Sequence, residues 1–262
     1  MKLNAYFFLF LAFITACEEP LDKPVLSQIN TMLVVEGALT NENRSHSIIL
    51  SFPYQSLNGK PTPATGAFVQ IKQGDLTYTL TEVPAASGVY QTPVFRAVID
   101  AVYTLYILHQ GKEYFAQDSS VPVEPLPPIQ YQRVNDQYQL VVSVAGSAAN
   151  YVDHSLDWST PTCSQNSCNA RMLFYDLKTV DVNEVYKPAK TDLLFPATTT
   201  IIRRKYSVSP AYREFLRSVL SETEWRGGIF DVERSNTSTN LSAGATGFFA
   251  VTTVVSDTTV VE

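Results

Sequence analysis

Short runs of β-branched and aromatic residues, each closed by a turn signal, recur through the first half of this chain. The run at residues 32–37 ends on Gly37, and the run at 46–52 is stopped by Pro53. A turn signal every 8 to 12 residues is typical of an immunoglobulin-like sandwich. The sequence therefore predicts an all-β fold that opens with an immunoglobulin-like β-sandwich over residues 31–121. The expected strands are residues 32–37, 46–52, 67–72, 77–82, 88–91, 101–109 and 113–117.

Aromatic side chains are concentrated in the last two of these runs. Tyr103, Tyr106, Tyr114 and Phe115 flank a Gly-Lys turn and predict a β-hairpin. Residues that alternate along a strand are usually core residues or cross-strand pairs. We therefore expect these aromatic residues to have packing roles and not to form a ligand-stacking platform.

A proline-rich segment follows the predicted sandwich. Residues 121–128 read VPVEPLPP, with four prolines in eight positions. Such a segment is a semi-rigid extended connector, so residues 122–128 are interpreted as a joint between two domains. The alternative is a proline-rich edge inside one continuous β domain.

The second predicted domain, residues 129–262, combines strands with one helix. In SVSPAYREFLRSVLSETEW, Ser209 can cap a helix whose first position is Pro210. Apolar residues at helical spacing give this helix, near 210–225, one face to pack on a sheet. The basic run at 203–205 is interpreted as a small solvated island. The expected strands are residues 137–145, 170–177, 199–204, 228–234 and 248–256.

The first residues have the layout of a secretory signal. Lys2 precedes an apolar run at residues 5–15, which is too short for a spanning helix, and FITACEEP places a cysteine directly after small residues. This arrangement resembles the bacterial lipobox, which predicts a signal peptide at 1–16 and lipidation of Cys17 by acyl chains. Residues 17–30, which carry Glu18, Glu19 and Asp22 near their start, are then predicted to form an acidic, polar tether. An ordinary secretory signal with a cysteine at the cut is the alternative.

The remaining cysteines lie close together in a polar loop. Cys163 and Cys168 stand in PTCSQNSCNA, in a chain that is predicted to leave the reducing cytoplasm. Disulfide formation is the expected state there. A metal site completed by His154, Asp153 or Asp157 is the weaker alternative, because the cysteine spacing does not match a usual zinc site and a second pair is missing.

The charge and motif content of the chain restrict its function. A formal net charge of −6 with no basic stripe argues against nucleic-acid binding. The chain has no G-x-S-x-G, H-E-x-x-H, phosphate-loop or dinucleotide motif, so no catalytic residue and no cofactor are predicted. Asp153, His154 and Asp157 are the only local group that a hydrolase could use.

Ordered blocks along the chain resemble an outer-membrane lipoprotein family, the one catalogued as domain of unknown function 4249. The resemblance implies a non-enzymatic protein of the outer membrane, anchored by lipid and often found beside a TonB-dependent β-barrel transporter. An accessory or substrate-capture subunit is therefore the leading expectation. A cell-surface hydrolase and a structural adhesion or envelope-assembly lipoprotein are the alternatives. The blocks are LVVEGALTNE (33–42), SFPYQSLNGKPTPATGAFVQI (51–71), SGVYQT (87–92), GKEYFAQDSSVP (111–122), YREFLRSV (212–219) and GATGFFAV (244–251).

Overall fold

A computed structural model describes six stretches of the chain, which are residues 32–54, 59–142, 146–159, 168–187, 192–228 and 237–262. These residues form an all-β fold with one long helix, which confirms the predicted fold class. The described residues of the first half carry nine strands. They are β1 (Leu33–Thr40), β2 (Ser47–Phe52), β3 (Thr62–Pro63), β4 (Phe68–Gln73), β5 (Leu76–Thr79), β6 (Thr81–Glu82), β7 (Val89–Gln91), β8 (Val102–His109) and β9 (Lys112–Ser119).

These strands form two sheets that pack face to face. One sheet has β1, β2, β7 and β6 as neighbours, with β3 on β2, and the other has the order β5-β4-β8-β9. Alternate residues of each strand point inwards, as the period of a half-buried strand requires. Val35 and Leu50 of the first sheet and Ile71 and Leu105 of the second are fully buried in one core. The predicted hairpin is the pair β8 and β9.

Within its described stretches, the second half contains two further sheets and two helices. The sheets have the orders β10-β11-β14 and β13-β12-β15-β17, and they enclose a second apolar core around Leu140, Leu156, Phe195 and Ile201. The elements are β10 (Gln130–Val134), β11 (Gln137–Val141), β12 (Asn150–Asp157), β13 (Asn169–Asp176), the one-turn helix α1 (Val182–Val185), β14 (Leu194–Phe195), β15 (Thr200–Ser207), helix α2 (Pro210–Glu222), β16 (Ala245–Thr252) and β17 (Val254–Val260).

Helix α2 begins where the sequence predicts. The hydroxyl of Ser209 accepts a hydrogen bond from the backbone N–H of Tyr212 at 3.1 Å, which satisfies one of the free donors of the first turn. Leu216 and Leu220 are buried in a third apolar cluster. The ring of Tyr212 stacks on Phe248 of β16, with ring centroids 5.0 Å apart. The predicted packed helix is thus confirmed.

The last two strands join both halves. β16 runs parallel to β1 over eight residue pairs, from Leu33 beside Ala245 to Thr40 beside Thr252. β17 follows after Thr253 and pairs with β15 in the other sandwich. The sequence assigns residues 245–252 to the second domain, yet they complete the first sheet. The division at residues 122–128 stays a prediction.

Candidate functional site

The predicted anchor and part of the cysteine loop lie outside the described residues. This applies to Cys17, the tether 17–30 and Cys163. Cys168 directly precedes β13, and its carbonyl accepts a hydrogen bond from the N–H of Trp158 at 2.9 Å. Lipidation of Cys17 and the pairing of Cys163 with Cys168 therefore stay predictions.

The three residues nominated for metal binding or hydrolysis share strand β12 but do not converge. Asp153 and His154 are adjacent in the strand, so their side chains lie on opposite faces of the sheet. The Asp153 carboxylate accepts two hydrogen bonds from Arg171, at 2.9 and 2.8 Å. Asp157 is exposed and accepts a hydrogen bond from the N–H of Ser159. In the described parts of the chain no cluster of three or more His, Cys, Asp or Glu side chains is arranged to hold a metal ion.

His154 lines a narrow cleft between β12, β15 and the proline-rich segment. Its register partner on β15 is Arg203, and Lys205 lies two residues further along the same face. Both cations are almost completely buried. The sequence interpretation of residues 203–205 as a solvated island is wrong for these two, because β15 has neighbours on both sides and its alternate side chains point inwards.

Ion pairs hold the proline-rich segment over this cleft. The guanidinium of Arg203 donates to both carboxylate oxygens of Asp257, with Nε 3.0 Å from Oδ1, and also to the carbonyl of Pro127. The Nζ of Lys205 lies 3.9 Å from a carboxylate oxygen of Glu124. That carboxylate also accepts the N–H and hydroxyl of Ser147, which keeps its pKa below the usual range. The cleft is therefore a structural junction whose charges are already paired.

The imidazole of His154 is kept neutral in this cleft. Burial lowers its pKa to about 4, and the neighbouring positive charge of Arg203 acts in the same direction. Its Nδ1 is buried without a hydrogen-bond partner among the described residues. The cavity beside it measures about 20 Å³, which is room for about one water molecule and far below the roughly 300–1,000 Å³ of a small-molecule site. The cavity beside His154 is thus too small to hold a substrate molecule.

A different feature, the surface segment from Val180 to Tyr186, has the properties of an interaction surface. Val180 is 91% exposed, and Val182, Val185 and Tyr186 are each more than half exposed. This segment was not singled out from the sequence, because its apolar residues form no motif and spacing alone does not show whether a side chain is exposed. Their exposure depends on the contacts by which the helical turn α1 packs against helix α2.

We call residues 180–186 the valine segment. Contacts near both of its ends hold it against helix α2 and the residues that follow this helix. At its start the buried carboxylate of Asp181 accepts a hydrogen bond from Nε of Arg217 on α2, at 3.0 Å. After its end, Nζ of Lys187 lies 5.9 Å from the ring centre of buried Trp225. The apolar side chains are therefore held outwards on an ordered support.

The fold and these surfaces define an all-β protein of two joined sandwiches with an apolar surface segment. The family model described as Domain of unknown function (DUF4249) matches residues 18–258, and the chain belongs to this family. No curated protein matches the chain. None of the helices in the described stretches is both long enough and apolar enough to cross a membrane.

Proposed function

We propose that this protein is a non-enzymatic lipoprotein of the outer membrane, anchored through Cys17, which docks on a TonB-dependent β-barrel transporter as an accessory or substrate-capture subunit. The observation that carries the proposal is the valine segment. Exposed apolar clusters on a folded protein mark protein–protein or membrane contacts. The ion pair between Asp181 and Arg217 holds this cluster against the packed helix α2. Docking therefore requires little additional ordering of the chain.

The predicted lipid anchor on Cys17 supports the same function. A chain held by acyl groups on Cys17 stays at the membrane, since each buried CH₂ contributes about 0.8 kcal/mol. Anchoring confines the protein to the surface in which a barrel transporter resides, and this raises the effective concentration of one for the other. The acidic tether keeps the folded part in water.

The alternative functions have less support from the described residues. A hydrolase needs a cleft with convergent titratable groups, and the group at Asp153, His154 and Asp157 is divided between two faces of one sheet. A purely structural adhesion role gives no reason for an ordered apolar segment beside α2.

An affinity pull-down tests the docking. The tagged full chain is recovered from detergent-solubilised outer membranes, and co-purifying proteins are identified and quantified by mass spectrometry. We expect a TonB-dependent barrel in roughly equal amount. The double variant Val182→Asp/Val185→Asp should recover about tenfold less of it, since a charge must be desolvated at each apolar position.

The matched control is Val94→Asp/Val98→Asp. These two valines are exposed to a similar degree, and they lie in a loop of the first sandwich. Equal recovery of the barrel by both double variants, or no barrel with the unmodified chain, contradicts the docking. The anchor is tested separately by Cys17→Ser, which should release the chain from the membrane fraction.

A further inference from the structure

One outer sheet face of the first sandwich presents aromatic and aliphatic side chains to solvent. On β4, β8 and β9 the inward positions fill the core, and Phe68, Tyr106, Leu108 and Phe115 point outwards. Phe68 and Phe115 are 44% and 46% exposed. An antiparallel sheet that faces water normally alternates apolar and polar residues, so an outward apolar group in neighbouring strands departs from the usual pattern.

The members of this group, which we call the aromatic face, contact one another. The ring of Tyr106 lies 6.3 Å from that of Phe68 and 5.2 Å from that of Phe115, measured between centroids. The Tyr106 hydroxyl donates to a carboxylate oxygen of Glu113 at 2.9 Å. Among the outward positions of β4, β8 and β9, charge is carried by Glu113 and Lys72, which are of opposite sign.

The aromatic face lies where the chain enters the fold. The N–H of Leu33, the first residue of β1, donates to the carbonyl of Gly244 at 3.1 Å. Two residues earlier, Ser242 exchanges hydrogen bonds with the backbone of Phe115, at 2.8 and 3.0 Å. Phe115 is thus linked through Ser242 and Gly244 to Leu33, which stands three residues after the end of the predicted tether.

We propose that the aromatic face rests on the lipid surface, at the boundary between headgroups and acyl chains, while the chain is held there. This inference rests on the anchoring at Cys17 in the proposed function. The sixteen peptide units from Cys17 to Leu33 span at most about 55 Å, so the anchor and the aromatic face can reach the same membrane. The start of β1 places the aromatic face at the membrane-proximal end.

The chemistry of the aromatic face fits lipid better than a charged partner. Tyrosine combines an apolar ring with a polar end, and such side chains are enriched at membrane interfaces. The long side chain of Lys72 can extend its amine to the headgroups. The chain as a whole has a net charge of −6, whereas the outward charges of this face balance, so it is a part of the surface that anionic lipid does not repel.

Tryptophan fluorescence in vesicles tests the proposal on the full chain with its Cys17. Phe115→Trp reports on the aromatic face, and Ile49→Trp is the matched control. Ile49 is 41% exposed and lies on the outer face of β2, in the opposite sheet. Each chain is reconstituted into vesicles of phosphatidylethanolamine and brominated phosphatidylcholine. The fluorescence of the unmodified chain is subtracted, and co-flotation with the vesicles is measured on the same samples.

We expect the indole at position 115 to lose roughly half of its fluorescence, since groups at this boundary lie about 5–10 Å deep, and the indole at position 49 to lose little. Equal quenching at both positions, or none at position 115 in chains that float, overturns the lipid contact and leaves the transporter docking intact. If the chains do not float with the vesicles, the result contradicts both the anchoring at Cys17 and the lipid contact of the aromatic face. Shielding of position 115 from acrylamide without vesicles would show that the chain covers its own aromatic face, which also overturns the proposal.

Discussion

Ser207 and Thr253 exchange two hydrogen bonds at the point where the C-terminal strand passes from one sandwich to the other. The N–H of Thr253 donates to the Ser207 hydroxyl at 2.8 Å, and the N–H of Ser207 donates to the Thr253 carbonyl at 2.9 Å. Both residues are buried. Because β16 belongs to the first sandwich and β17 to the second, this pair links the two halves through one continuous backbone.

Removing the serine hydroxyl should weaken this link. Ser207→Ala leaves the buried N–H of Thr253 without its acceptor, and we expect the free energy of unfolding to fall by about 1–3 kcal/mol. Urea denaturation followed by circular dichroism measures the change. Ser155→Ala, an exposed position on β12, is the control and should change stability by less than about 0.5 kcal/mol. Equal effects of the two substitutions contradict a specific role for Ser207.

The parallel pairing of β16 with β1 should depend on Gly247. Its φ of +94° disfavours any side chain, and an added Cβ would lie 2.1 Å from the carbonyl oxygen of Val35. Gly247→Ala should lower stability by about 3 kcal/mol or more, from backbone strain and the clash together. Gly66→Ala is the control, since Gly66 also has a positive φ but no atom within 4 Å of the added Cβ. Only strain of about 1–2 kcal/mol is expected there. A similar loss for both variants in thermal unfolding shows that β16 can move away from β1.

The buried imidazole of His154 predicts a pH dependence of stability. Its pKa is about 4 in the folded chain against 6.5 for a free histidine. Between these values the unfolded chain binds a proton that the folded chain does not, so stability falls as the pH falls from 6.5 towards 4. The loss is on the order of 3 kcal/mol. In urea titrations across this range, His154→Gln should lose less stability than the unmodified chain. Parallel pH profiles for the two chains would refute the prediction.

The predicted disulfide between Cys163 and Cys168 should stabilise the folded protein only modestly, because it closes a short loop. Cys163→Ser should lower the free energy of unfolding by on the order of 2 kcal/mol, because a disulfide over five residues restricts the unfolded chain only modestly. The double variant Cys163→Ser/Cys168→Ser should be no less stable than the single one. Thiol labelling of the native folded protein checks the pairing directly, and labelling of both cysteines excludes it.

Local signals in the sequence were enough for several elements. Helix α2 was predicted because Ser209, Pro210 and the apolar spacing all lie within the helix or next to it. The β8–β9 hairpin was predicted for the same reason, since its turn and alternation are local. Its aromatic residues do pair across strands, but Tyr106 and Phe115 point outwards, and the period of two cannot tell which face will be covered.

Other elements had no local signal. Strand β12 carries Asp153, His154 and Asp157, residue types that rarely suggest a buried strand, and it forms because β13 and β15 pair with both of its edges. Arg203 and Lys205 read as a solvated run and are buried, because Asp257 and Glu124 come from distant parts of the chain to neutralise them. The spacing of residues along a sequence does not show which charged residues will meet across the fold.

The sequence by itself determined the all-β class, the presence of one packed helix that begins at Pro210, the acidic character of the chain and the family to which it belongs. Each of these depends on composition, on short-range periodicity or on ordered motifs. Only the tertiary structure decided that β16 completes the first sandwich, that the valine segment is exposed and that Phe115 of the aromatic face lies close to the start of β1. These features arise from contacts between residues that are far apart in the chain, such as Leu33 and Ala245. Burial of the whole core selects such pairs, and the residues next to them in the sequence do not.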